Sequence, residues 1–412
     1  MDAILDAMAP RAMRLFVATV MVLALAGCSP AALHGDRAVK IEIDPLKTYL
    51  PIQAAVLLRL AGVDGISVPY AIDCYRIIYP STDEHGHPIR LSGLLALPRD
   101  ARPRALVSFQ HGTTSDRDAV PSNLSTDGLA AAIVFAGNGY AVIAPDYIGL
   151  GVSNRPHPYY VAADTARAVI DMIHAVHHIG AVPRGPPFLI GFSEGGYASL
   201  SAQRALEAAG EPVLADAAVA GAFNLRSISI PWALKGAAPS DSVYLALWVR
   251  GYATRYGHPL NSAFMPRYAA LIPQLFDAPH DVAAVNAALP RDPRSLFRPQ
   301  VLDAIAGKGE HWLTAALSEN EMGDWRAKAP IRLYYGSRDV DVLPREATET
   351  ARRMAARGSP IRAVDVGPVE HNPSILAAAP MILEWLGSLP ATPQGYRPAG
   401  PAARVVTKSP DG

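Results

Sequence analysis

The chain has 412 residues, enough for two to three domains of about 150 residues or one large domain with an insertion. Its 37 Lys and Arg balance 37 Asp and Glu, so the net charge is zero and the basic excess expected of a nucleic-acid binder is missing. Half of the residues are hydrophobic and 18% are charged, which argues against an acidic disordered chain, and no repeat period or heptad run suggests a solenoid or coiled coil.

The N-terminal stretch reads as an address. Arg11 and Arg14 precede an apolar run from Leu15 to Ala26, 12 residues long. A membrane span needs about 20, so this run fits the core of a signal peptide. It ends in Leu25-Ala26-Gly27-Cys28, which resembles the lipobox of bacterial lipoproteins. The resemblance implies a signal peptide over residues 1–27 and a lipid on the Cys28 thiol. It also implies export and anchoring in the bacterial cell envelope, with Ser29 after the Cys favouring the outer membrane. Ordinary cleavage and secretion is the alternative. The second cysteine, Cys74, lies in a strand-like run and is expected to be a small buried residue; a Cys28–Cys74 disulfide is the other option.

Residues 28–70 are expected to serve as a tether and flanking segment. Ile72–Tyr79 and Ile89–Leu97 read as a hairpin around a polar turn. A short apolar strand follows at Arg104–Gln110, then a helix over Asp127–Asn138 stopped by Gly139, and a strand at Tyr140–Pro145. Helical periodicity covers Ala162–Ile179, a buried strand Phe188–Gly191, a helix Gly195–Ala209 and a strand Ala217–Phe223. Residues 224–329 lose this alternation. They are rich in proline, with helical patches at Val282–Leu289 and Trp312–Leu317. Alternation resumes with strand Ile331–Tyr335, helix Arg345–Arg357, strand Ile361–Val366 and helix Ser374–Gly387. Strands alternating with helices predict an α/β fold with a mostly parallel sheet covered on both faces. The core is then split into residues 71–223 and 330–389 by the insertion, and residues 390–412 form a Pro- and Gly-rich tail.

Gly191-Phe192-Ser193-Glu194-Gly195 fits G-x-S-x-G between an apolar strand and a helix. A tight strand-to-helix turn would hold Ser193 in strained geometry with its hydroxyl free, which requires small residues two before and two after it. A nucleophilic serine needs a base and an acid, here in the order Ser, acid, His. His371 is the histidine that follows the last strand, and a neutral imidazole there can take the Ser193 proton and return it to a leaving group. The loop after Ile331–Tyr335 offers two acids, Asp339 and Asp341; Asp339 holds the G-x-x-D position and is preferred. An oxyanion hole needs two backbone N–H groups. Glu194 is expected to supply one, and the loop His111-Gly112-Thr113-Thr114 the other, through Thr113 first and Gly112 second. His111 itself reads as a structural hydrogen-bonding residue.

Gln110-His111-Gly112-Thr113, Pro145-Asp146-Tyr147-Ile148-Gly149-Leu150-Gly151 and the Ser193 motif together resemble the secretory lipase family of the α/β-hydrolase fold. The resemblance spans about Cys74 to Leu386. It implies hydrolysis of small-molecule or lipid carboxylic esters through an acyl-enzyme, with no metal or organic cofactor. Asp146 and Tyr147 read as loop architecture before substrate contacts. The 224–329 insertion then falls where a largely helical cap sits, with Trp232, Trp248, Tyr252, Tyr256, Phe264, Trp312 and Trp325 supplying its apolar surface. A roofed site leads to the expectation that activity rises from acetyl to hexanoyl or octanoyl esters. Two other classes stay open: a serine peptidase on the same fold, and a non-catalytic binding protein with a relic triad. Asp171, His174 and His178 share a helix face at metal-like spacing but read better as polar helix positions.

Overall fold

The computed structural model describes residues 40–63, 65–276 and 282–390; the expected signal peptide, Cys28 and the tail from residue 391 onward lie outside the described residues. Among the described residues a nine-stranded sheet organises the molecule. Its strands are β1 (Glu42–Tyr49), β2 (Ile72–Thr82), β3 (Pro88–Pro98), β4 (Leu106–Gln110), β5 (Ala141–Pro145), β6 (Phe188–Phe192), β7 (Ala215–Val219), β8 (Ile331–Tyr335) and β9 (Ile361–Asp365). They are ordered β1-β2-β3-β5-β4-β6-β7-β8-β9. The first three pair antiparallel, β3 pairs antiparallel with β5, and every pairing from β5·β4 to β8·β9 is parallel. Strands β4 to β7 are buried along their whole length, which is why they read as short apolar runs without alternation.

Helices cover both faces. Along β6, Phe188, Ile190 and Phe192 face one buried cluster and Leu189 faces another, as the two-residue period of a strand requires. The first cluster is completed by α1 (Pro51–Leu60), α2 (Thr126–Phe135) and the last helix, His371–Ser388. The second is completed by α3 (Ala162–His178) and α4 (Glu194–Ala208).

Residues 42–60, expected as tether and flank, instead form β1 and α1. The strand reads EIDPLKTY, mostly polar and half-exposed at the sheet edge, so it carries no clear hydrophobic pattern. The strand expected at Ala217–Phe223 lies at Ala215–Val219. Its fully buried Asp216 disguised the true start, and the chain turns away at Ala220, with φ 48°. Cys74 is a free, buried cysteine on β2, and burial pushes its thiol up to about 12.

The 224–329 segment is helical: α5 (Asp241–Arg255), α6 (Pro266–Phe276), α7 (Val282–Ala288), α8 (Pro299–Ile305) and α9 (Trp312–Glu319). Its apolar residues include Trp248, Tyr252, Phe264, Ile272, Leu296 and Leu313. They form one buried cluster together with Tyr159, Tyr160 and Tyr197 of the core. The patches expected at 282–289 and 312–317 are α7 and α9. Helices α5, α6 and α8 were not legible, each for its own reason. Twelve of the 15 residues of α5 are buried, which leaves no amphipathic stripe. α6 has Pro273 inside it, and α8 opens on Pro299 just after the turn at Pro293–Leu296, within the proline-rich stretch. After β8 the core closes with α10 (Pro344–Ala356) and α11 (His371–Ser388).

Candidate active site

Ser193 sits between β6 and α4 with φ 56° and ψ −119°, a conformation that L side chains rarely adopt. The turn is this tight because the residues two before and two after Ser193 have no side chains. A Cβ on Gly191 would lie 1.9 Å from the Gly195 carbonyl oxygen, and one on Gly195 would lie 2.0 Å from the Gln110 carbonyl oxygen. A Cβ on Gly196 would meet Gly221 at 3.1 Å, so this glycine lets α4 pack close to the end of β7. The Ser193 amide donates to the Val219 carbonyl at 2.9 Å, fixing the elbow to the neighbouring strand.

His371, the first residue of α11, brings its ring to this serine. Its Nε2 lies 2.9 Å from Ser193 Oγ, and its Nδ1 lies 2.8 Å from Asp339 Oδ2. Asp339 and His371 are buried. The other Asp339 oxygen, Oδ1, accepts the backbone N–H groups of Asp341 and Val342 at 3.0 and 2.9 Å. The carboxylate is therefore fixed at both ends. Asp341 supplies a backbone donor to Asp339, and its own side chain lines the cavity at Ser193. The structure thus brings together Ser193, Asp339 and His371, which lie far apart in sequence, and separates the two acids by contact.

Of the expected oxyanion donors, Glu194 N–H is the first amide of α4, which has no intrahelical acceptor. Gly112 is corrected: its N–H donates to Asp127 Oδ2 at 3.1 Å, and Asp127 lies in the first turn of α2. Thr113 follows Gly112 in the loop, with its hydroxyl 2.8 Å from Tyr159 Oη.

The Pro145-to-Gly151 segment is architectural. Asp146 is fully buried, with Oδ2 accepting from Ser92 Oγ at 2.5 Å and Oδ1 from the Ser122 amide at 2.9 Å. Burial holds its carboxyl above the usual range. Tyr147 donates to the His111 carbonyl at 3.0 Å and stacks on the His111 ring. A Cβ on Gly151 would lie 2.3 Å from Asp146 Oδ2, which explains that glycine in the motif. His111 is held structurally, with Nδ1 at 2.7 Å from the Gly112 carbonyl and Nε2 at 3.4 Å from the Asp146 carbonyl.

One pair was missed. His157 Nε2 lies 2.7 Å from Glu194 Oε1, and both side chains are buried. His157 Nδ1 faces the Ile148 carbonyl at 2.8 Å and so donates to it. Nothing in Pro156-His157-Pro158 marks this histidine. The only hint is the buried Glu194 itself, directly after the serine. The metal-like trio is committed elsewhere: Asp171 accepts from Ser81 at 2.6 Å and His174 contacts Glu211 at 2.8 Å.

Ser193 and His371 open into a cavity of about 70 Å³ under the cap, walled by Tyr159, Tyr160, Tyr244, Trp248, Asp241 and Asp341. Burial raises the carboxyls of both acids, Asp241 to about 6. A second cavity, of about 570 Å³, lies between α1, α2 and α11 and reaches Phe192 and Asn372, the neighbours of Ser193 and His371.

The sheet order, the helices on both faces and the serine at the elbow after β6 define the α/β-hydrolase fold. Solved structures share it. A Legionella pneumophila protein provisionally described as a hydrolase matches with a TM-score of 0.79 and 24% identity, over 86% of this chain and 99% of that one. The rice cell wall degrading esterase LipA from Xanthomonas oryzae matches with a TM-score of 0.73 and 21% identity, over 84% and 97%. Candida antarctica lipase A in its closed state matches at 0.59 and 13%, over 81% and 78%. At these identities the likeness is one of fold. No protein-family model matches the chain, and a search of curated proteins finds no match.

Proposed function

We propose that the chain is a serine hydrolase of carboxylic esters, a lipase or carboxylesterase, that works through an acyl-enzyme. The observation that carries this reading is the unbroken line from Asp339 Oδ2 through His371 to Ser193 Oγ, with contacts of 2.8 and 2.9 Å. Ser193 Oγ attacks the ester carbonyl as His371 Nε2 takes its proton. Asp339 holds the ring in the tautomer that leaves Nε2 free to accept, and stabilises the imidazolium that forms. The carbonyl oxygen becomes an oxyanion facing the N–H groups of Glu194 and Thr113. Collapse expels the alcohol, which receives the proton from His371. Water, activated by the same histidine, then hydrolyses the acyl-Ser193 ester. The motifs shared with secretory lipases support this substrate class. The lipobox-like Leu25–Cys28 supports export with a lipid on Cys28, so the protein should incorporate labelled palmitate and Cys28→Ser should not. Equal labelling of both forms would contradict the anchor.

A serine peptidase is the second reading, and one feature favours it. Asp241 and Asp341 wall the cavity that holds Ser193, where a carboxylate pair can bind the ammonium of a free peptide N-terminus. A panel of p-nitrophenyl esters run beside aminoacyl-anilides separates the two. The ester reading expects turnover of the esters and none of the anilides; faster anilide cleavage would reverse it.

A further inference from the structure

We propose that the outer face of α1 docks this protein onto a lipid surface. The inner side of the helix is anchored through Ala54 and Leu58, which are buried in the cluster over the sheet. A helix on the surface of a soluble protein presents polar residues on its other side. Here that side is apolar. Ile52, Val56 and Leu60 are 69%, 50% and 79% exposed, and Leu50 just before the helix is 49% exposed. Spacing by four places Ile52, Val56 and Leu60 in one row along the helix. Exposed apolar residues are ordinary when scattered singly, but a contiguous row of them marks a contact surface. The helix, PIQAAVLLRL, carries one charge, Arg59, and no acid.

The chain leading into this helix selects the occupant. Cys28, the proposed attachment point of the lipid, precedes Lys40 by 12 residues, which reach at most about 40 Å fully extended. β1 and α1 are the first elements after it. An anchored chain therefore carries these elements at the end tied to the bilayer. A row of aliphatic side chains with a lone arginine and no carboxylate suits an anionic headgroup layer. Such a helix lies in the plane of that layer with its apolar face sunk about 5–10 Å into it. Behind α1, Leu57, Leu58 and Ala61 form one wall of the 570 Å³ apolar cavity, so the apolar surface continues inward. This inference rests on the export-and-anchor reading and is independent of the ester chemistry.

The test removes the anchor and keeps the fold. Among the described residues, all strands and the three buried clusters lie between residues 41 and 390, within one compact unit that begins at Ile41. A chain beginning at Ser29 keeps them and lacks both the apolar run and Cys28. This protein and its Ile52→Ser/Val56→Ser/Leu60→Ser variant are sedimented with vesicles of three parts phosphatidylethanolamine to one part phosphatidylglycerol. The parent should co-sediment, and the variant should partition roughly tenfold less or weaker still, with the two sharing one thermal midpoint. Failure of the parent to bind, or equal binding by both, would overturn the proposal. A parent that is dimeric in solution and becomes monomeric in the variant would also overturn it, because a second copy then covers the row. Sedimentation reads no turnover, so an inactive protein that binds vesicles leaves this inference standing while the ester reading fails.

Discussion

Asp339 and Asp341 stand two residues apart in one loop, yet only Asp339 reaches the imidazole, at 2.8 Å from His371 Nδ1. Asp339→Asn replaces the acceptor with an amide that favours the wrong ring tautomer and removes the charge opposite the imidazolium. Its kcat should fall by roughly 10⁴, the size of that effect in serine-protease triads. Asp341→Asn should keep most of the rate on simple esters, because its backbone N–H still serves Asp339. Steady-state kinetics on one p-nitrophenyl ester ranks the two, and a larger loss for Asp341→Asn would reverse the assignment. At this scale the sequence was informative where several constraints met at one residue. Ser193 had a strand before it, a helix after it and glycines on both sides; His371 followed the last strand. Choosing between Thr113 and Gly112 required a contact, the Gly112 amide on Asp127, that no spacing encodes. His157 was invisible because its partner Glu194 is 37 residues away.

The elements decide how well these residues hold still. His157 sits in the loop before α3, and Glu194 opens α4, so their buried contact ties that loop to the helix whose first N–H is proposed to face the oxyanion. Glu194 Oε2 has no partner among the described residues. His157→Ala would leave the whole Glu194 carboxyl group buried without a partner, which costs about 1–3 kcal/mol. A chemical denaturation midpoint should report that loss, and adding Glu194→Ala should recover part of it, because the unsatisfied polar group is gone. A His157→Ala protein within about 0.5 kcal/mol of the parent would contradict the role. Elements were legible when their pattern was simple. The buried parallel strands and the stop at Gly139, with φ 87°, were readable. The polar edge strand β1 and the all-round buried α5 gave no periodic signal, because packing against neighbours, not local preference, specifies them, whereas α6 has a helical period in Tyr268, Leu271, Ile272 and Leu275 that Pro273 masked.

At the scale of the whole molecule, the alternation of strands and helices around an interruption was enough to read a parallel sheet with a cap. The space between cap and sheet was not readable, since it depends on how the two surfaces meet. That space bears on substrate length, and the small cavity at Ser193 argues for shorter acyl chains than the size of the insertion suggests. The cavity at Ser193 is about 70 Å³, small beside the 570 Å³ apolar cavity that reaches Phe192 and Asn372. Each buried CH₂ contributes about 0.8 kcal/mol only while room remains, and overpacking costs about 1–3 kcal/mol. Accordingly, kcat/KM should be highest for acetyl to butyryl esters and should fall by octanoyl. A continued rise to octanoyl would mean that the cap moves to admit longer chains. The claim beneath all of this is that Ser193 is the nucleophile, and covalent labelling tests it most directly. Treated with a fluorophosphonate, the protein should gain the mass of one adduct, mapped to Ser193, while Ser193→Ala with an unchanged thermal midpoint stays unlabelled. Labelling of the alanine variant at the parent's rate would contradict the account.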